Sequence, residues 1–191
     1  VKIIGNGLIL ASVILLAVFG YQYFTQKQEQ NHSFIEAEEK INEEGKAIDE
    51  PSIADFKAEE NEAFAILEVP KLKKSLPIIE GTDPDDLNKG VGHLTDSVYP
   101  GQKEQIVLSG HRDTVFRSFG ELELGDRFIV KMPYGTYTYE IKSTDIVPED
   151  DTTVIRKMGE EVLVVTTCYP FHYVGSAPER FIFYAYPVAE S

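Results

Sequence analysis

The chain has 191 residues, 18 of them basic and 32 acidic, for a formal net charge of −14. That length suits one domain plus extensions, and a surface so acidic repels phosphate backbones, which argues against nucleic acid as a partner. The single cysteine cannot close an internal disulfide, so it is either an inert buried residue or a reactive thiol.

The first segment, 1–24, is apolar. From Ile3 to Tyr23 it is interrupted mainly by Asn6 and Gln22. As a helix this run of about 21 residues spans roughly 30 Å, the thickness of a hydrocarbon core, with Tyr21, Tyr23 and Phe24 at one interface. A cleaved secretory signal is the alternative. No small-x-small cleavage site precedes the polar stretch, so an uncleaved transmembrane anchor is expected.

Residues 25–62 are rich in Glu and poor in large apolar side chains. Ser33 with Glu36, and Ser52 with Asp55, read as helix-starting caps, and Pro51 divides the two stretches. This pattern predicts an acidic, solvated stalk with short helices.

From 63 to 191 the pattern changes to short β-branched runs punctuated by turn residues. Strands are predicted near Ala63–Val69, Ser75–Ile79, Gln105–Gly110, Arg127–Met132, Thr136–Val147, Val162–Thr167 and Arg180–Tyr186. Pro133 and Gly135 mark a hairpin turn. One short helix is predicted at Pro84–Lys89, with Asp83 as its cap, Pro84 at its first position and Gly90 after its end. Seven or eight short strands with few helices in ~130 residues point to a mainly β fold, a barrel or sandwich.

Cys168 ends a strand and precedes a loop, where a scaffold can present a reactive group to substrate. A nucleophilic cysteine must be available as thiolate, which a cationic neighbour favours. Four histidines are candidates for the proton-transfer partner. His32 lies in the stalk, and a structural turn role is expected for His93. His111 ends an apolar strand after Gly110, a residue that permits close backbone approach. His172 follows Cys168 by four residues with Pro170 between. Spacing does not decide between His111 and His172. Arg180 opens the last strand on a face shared with Ile182, Tyr184 and Tyr186. A cation there needs an anionic partner, which charge developing on a carbonyl oxygen would supply; pairing with Glu179 is the plainer reading. Arg112 is the rival cation, and Asp113 beside it offers a local pair. Asp83, Asp85 and Asp86 read as helix-start capping rather than a metal site.

Taken together these segments resemble the sortase family. Leu108-Ser109-Gly110-His111-Arg112-Asp113-Thr114 is similar to its histidine motif. Val164-Val165-Thr166-Thr167-Cys168 is similar to its T-L-x-T-C motif, with Val164 and Val165 in place of Thr and Leu. Arg180 stands where the family's arginine follows on the next strand. Leu76-Pro77-Ile78, Gly81-Thr82, Gly90–His93 and Pro100-Gly101 also fit. The likeness covers most of residues 63–187. Cys168-Tyr169-Pro170-Phe171 with Ala177-Pro178-Glu179-Arg180 is closer to class D than to class A. Asp83-Pro84 is followed by Asp85 rather than the aromatic residue of pilus-building class C lids.

The resemblance implies an eight-stranded sortase-type β-barrel on the outer face of a Gram-positive membrane. It implies Cys168 as nucleophile, His111 rather than His172 as proton donor and acceptor, and Arg180 as oxyanion and substrate contact. The implied substrates are surface proteins with an LPxTG-like or LPxTA-like sorting signal, resolved by an amine of the peptidoglycan precursor. Such an enzyme needs no redox cofactor, and covalent catalysis suits the task because the cleaved amide's energy is held as a thioester until an amine arrives; calcium stimulates some sortases, and no metal site is assigned. Two other readings remain: a membrane-anchored cysteine peptidase using the same Cys168 and His111, and a non-catalytic tethered binding module with an inert thiol. An L,D-transpeptidase lacks support, because its S-H-G-C type motif is absent.

Overall fold

Two helices and eight strands account for most of the residues that the computed structural model describes, 2–44, 53–172, 175 and 177–188. In order they are α1 (Lys2–Glu44), β1 (Ala63–Val69), β2 (Lys74–Glu80), α2 (Pro84–Lys89), β3 (Val91–His93), β4 (Gln105–Gly110), β5 (Arg127–Met132), β6 (Gly135–Pro148), β7 (Val162–Tyr169) and β8 (Glu179–Pro187). The strands close into a barrel in the order β1-β2-β3-β4-β7-β8-β6-β5. Among the described strands, only β2–β3 and β4–β7 pair in parallel. Closure gives each described strand a partner on both sides.

Side-chain alternation sorts the barrel into an inside and an outside. Inward residues include Leu67, Leu108, Phe128, Tyr139, Leu163, Val165 and Phe183, which form one buried core capped by Phe116 and Phe119. The rings of Phe116 and Phe119 stack with centroids 3.9 Å apart, and they close the end of the barrel where β4 finishes. β7 is apolar on both faces because its outward residues are buried too. Val162 and Val164 join Val107, Ile182 and Tyr184 beneath Val147 and Val154. The segment after β6 covers this outer wall, which explains the unbroken run Val162–Val165.

The opposite wall is covered by α1. Ala37 is wholly buried against Ala63, Ile66 and Ile79, flanked by Phe34 and Ile41. Residues 25–44 therefore continue the apolar segment as one helix rather than forming short separate ones. Ser33, expected to cap a helix, is instead buried within it. Ser52 and Pro51 lie outside the described residues. Phe56 and Ala58 pack on the core, and Gln102 Nε2 donates to the carbonyls of Ile53 and Phe56 at 2.8 and 3.4 Å.

Candidate active site

The candidate residues meet through strand register. β4 and β7 run parallel with Gly110 opposite Thr167, so the next residues of each strand are His111 and Cys168. Neighbouring strands lie about 4.8 Å apart. On the other side of β7, Cys168 is the direct antiparallel partner of Arg180. His111, Cys168 and Arg180 thus stand at adjacent strand ends.

Parity gives them a common face. Val107 on β4, Val164 on β7 and Ile182 on β8 belong to the outer cluster. Counting in twos along β7 and β8 places Cys168 and Arg180 on that same outer face, and His111 is the first residue past the end of β4, next to them. The intervening Thr167 faces inward and is buried. Its Oγ1 donates to the Gly110 carbonyl at 2.8 Å, tying the two strand ends one residue before the imidazole and the thiol. Cys168 is half-buried, at a barrel end rather than deep among aliphatic side chains. An inert core thiol would need the inward parity that Thr167 occupies.

Local packing holds His111 in place. Its carbonyl accepts from Phe116 N at 3.0 Å and Thr114 N at 3.4 Å, which folds the following loop back over the barrel end. Gly110 makes room for this, since a Cβ there would lie 2.5 Å from the Phe116 ring. Arg180 bonds the carbonyls of Ala177 and Glu179 through Nη1 at 3.3 and 3.1 Å, and its Nη2 lies 3.5 Å from Glu149 Oε2. The guanidinium therefore lies over the start of β8 beside an exposed carboxylate. His172 is exposed on the loop after β7, away from the strand ladder.

Two residues take roles that sequence reasoning missed. Arg112 is buried; it pairs with Asp113 at 3.3 Å as its neighbourhood suggested, and it also donates to the Pro170 carbonyl at 3.0 Å and the Gly175 carbonyl at 2.9 Å. It fastens the loop that follows Cys168 to the loop that follows His111. The only signal was a cation between a buried strand and a loop. His93 is not a turn residue: it ends β3, is buried, and its Nδ1 lies 2.7 Å from Glu80 Oε2. Tyr99 donates to the same oxygen at 3.1 Å and stacks on the imidazole. Burial pushes the Tyr99 phenol far above its ordinary range, so it stays a donor. This network sits at the barrel end opposite Cys168. The three-residue strand β3 was too short to show periodicity. At the start of α2, Asp83 N donates to Asp86 Oδ2 at 3.2 Å, one arm of a capping box between Asp83 and Asp86.

A half-buried thiol with an imidazole just past the end of one neighbouring strand and a guanidinium on the other can perform acyl transfer. The comparisons agree with that chemistry. Residues 67–188 match the family model described as Sortase domain. The chain is 59% identical over 132 residues to Sortase D of Bacillus subtilis (strain 168), covering 69% of this chain and 67% of that protein. Among solved structures it resembles the catalytic domain of B. anthracis SrtD, with 41% identity, TM-score 0.60, and 76% and 97% of the two chains covered. It also resembles a Clostridium perfringens Sortase D5 transpeptidase, with 23% identity, TM-score 0.70, and 85% and 99% covered.

Proposed function

Because the chain belongs to the sortase family and is a cysteine transpeptidase of the class D kind, we propose that Cys168, His111 and Arg180 are its catalytic residues and that it joins surface proteins to a cell-wall amine. The Cys168 thiolate attacks the Thr carbonyl of an LPxTG-like or LPxTA-like sorting signal. The tetrahedral intermediate collapses to a thioester as His111 gives its proton to the departing amine. An amine of the peptidoglycan precursor then attacks the thioester, His111 takes the proton it sheds, and Cys168 leaves as thiolate. Arg180 offers its donors to the oxyanion in both steps, turning from the Ala177 and Glu179 carbonyls it now bonds. No cofactor enters this sequence.

The observation that supports the assignment is the register: Gly110 opposite Thr167 and Cys168 opposite Arg180 bring the three residues to adjacent strand ends. Residues 1–24 serve as the membrane anchor, in support of which α1 is long and apolar enough to cross a membrane. Residues 25–62 join it to the catalytic barrel of 63–191, which stands on the outer side of the membrane.

The test is a sorting-peptide library incubated with the protein and an amine, with the amide adduct read by mass spectrometry. Adduct formation on an LPxTG or LPxTA peptide is expected. Hydrolysis alone at high amine concentration would instead identify a peptidase. His111→Ala should abolish turnover and His172→Ala should leave a substantial part of it; the opposite ranking would overturn the choice of histidine.

A further inference from the structure

α1 does not end where its apolar run ends, and the barrel begins almost at once. Gln26, two residues beyond Phe24, lies with Nε2 3.4 Å from Asn88 Oδ1, and Gln30 Nε2 donates to the Asn88 carbonyl at 3.2 Å. Two helical residues rise only about 3 Å. With Ile3–Phe24 in a bilayer, the barrel rests on the membrane surface with no free spacer between.

The contacts of α1 also decide which end of the barrel is turned toward the lipid. Its far part reaches the end where β1 begins: Lys40 pairs with Glu62, and Ala37 packs on Ala63 and Ile79. The stretch from Phe24 to Glu36 runs along an open groove that reaches from Asn61 and Lys89 to Ser75, Leu76, Pro77 and Val115 on the barrel side. Val115 lies in the loop after His111. The strand directions place the start of β2, the ends of β4 and β7 and the start of β8 at one end. From Ala37 back to Phe24 the helix rises about 20 Å, and from Ile79 back through the start of β2 to Lys73 the barrel side covers about the same length. The helix therefore reaches the level of the Cys168 end of the barrel as it enters the apolar layer.

That end carries a fitting side chain. Leu124, in the turn before β5, is 64% exposed, the most exposed large apolar residue of the described barrel. Its acidic neighbours Glu123 and Asp126 are both paired with Lys71, at 2.8 and 2.9 Å, and Lys73 is exposed on the same β1–β2 turn. An apolar tip whose adjacent acids are paired with Lys71, with Lys73 exposed beside it, suits the headgroup layer, where a lysine stem lies on apolar surface and its ammonium reaches phosphate.

We propose that the end of the barrel bearing Cys168 is a lipid-docking face, held against the bilayer by α1 and seated through Leu124, so that substrates reach the thiol along the membrane surface. The proposal rests on the reading of residues 1–24 as the anchor. The full chain carrying Cys168→Ala receives one new cysteine, Leu124→Cys or Arg117→Cys at the docking end or Glu160→Cys at the other. Each is labelled with an environment-sensitive fluorophore and reconstituted into phosphatidylcholine–phosphatidylglycerol vesicles with headgroup-nitroxide lipid. The probes at 124 and 117 should lose most of their emission and the probe at 160 should keep its own. If the chain floats with the vesicles but the probe at 160 is quenched instead, or both ends respond alike, the docking face is wrong and the anchor stands. If the chain does not float with vesicles, the anchor reading itself fails and the docking falls with it.

Discussion

At the scale of single residues, the site depends on what Gly110 lacks and on what Arg112 holds. A methyl group at Gly110 would lie 2.5 Å from the Phe116 ring, so Gly110→Ala must displace either that ring or the β4 end that carries His111. Overpacking of this kind costs about 1–3 kcal/mol. The melting temperature of Gly110→Ala should fall by several degrees in a circular-dichroism melt, and turnover should fall further than stability, because the imidazole moves with the strand end. An unchanged turnover number would mean that the loop absorbs the clash without moving His111. Arg112 joins two loops through charged hydrogen bonds to the Pro170 and Gly175 carbonyls, a bond type worth about 1.5–3 kcal/mol each. In Arg112→Met the loop after Cys168 loses both. KM for a sorting peptide should rise severalfold while alkylation of Cys168 by a small reagent continues at a similar rate; loss of alkylation would show that Arg112 shapes the thiol itself.

At the scale of elements, the segment between β6 and β7 covers the outer wall below the site, and it is pinned by one carboxylate. Glu104 Oε1 accepts from Met158 N at 2.5 Å, and both of its oxygens lie 3.3 Å from Gly159 N. These backbone donors, Met158 first, hold the Glu104 carboxyl below the ordinary carboxylate value. A folded-state pKa that is depressed contributes stability above the ordinary value and loses it as pH falls through the depressed one. The amide protection of Met158 and Gly159 should therefore drop on acidification below the ordinary carboxylate range, read by hydrogen exchange after correction for intrinsic rates. In Glu104→Gln that protection should no longer follow pH; a wild-type acid response in this variant would place the titrating group elsewhere. At the other end of the barrel, Glu80 serves both His93 and Tyr99. Glu80→Ala strands both partners in a buried site and should cost about 3 kcal/mol in a denaturant titration, without direct contact with the site.

At the scale of the whole molecule, the inward core and the docked helix are separate supports. Phe183, fully buried between Phe119, Phe128 and Phe181, should cost about 3–5 kcal/mol when replaced by Ala. Ala37→Glu should instead release α1 from β1 and β2, so that proteolysis cuts the chain near Glu36 and Glu38 while the barrel melts at nearly its original temperature. The amino-acid order by itself determined the apolar segment, the period-two strands with their boundaries to within a residue or two, the capped helix at Pro84–Lys89, and a cysteine, histidine and arginine at strand ends. Those are local properties, carried by side-chain alternation and turn chemistry over a few neighbouring residues. Only the tertiary structure decided that Cys168 faces outward while Thr167 faces in, that Arg112 clamps two loops, that His93 is a buried network member, and that the Glu-rich stretch after the anchor continues as a helix docked on the barrel. Each of these depends on pairing between segments far apart in the chain, and a one-residue change of register would reverse every face without altering the local pattern.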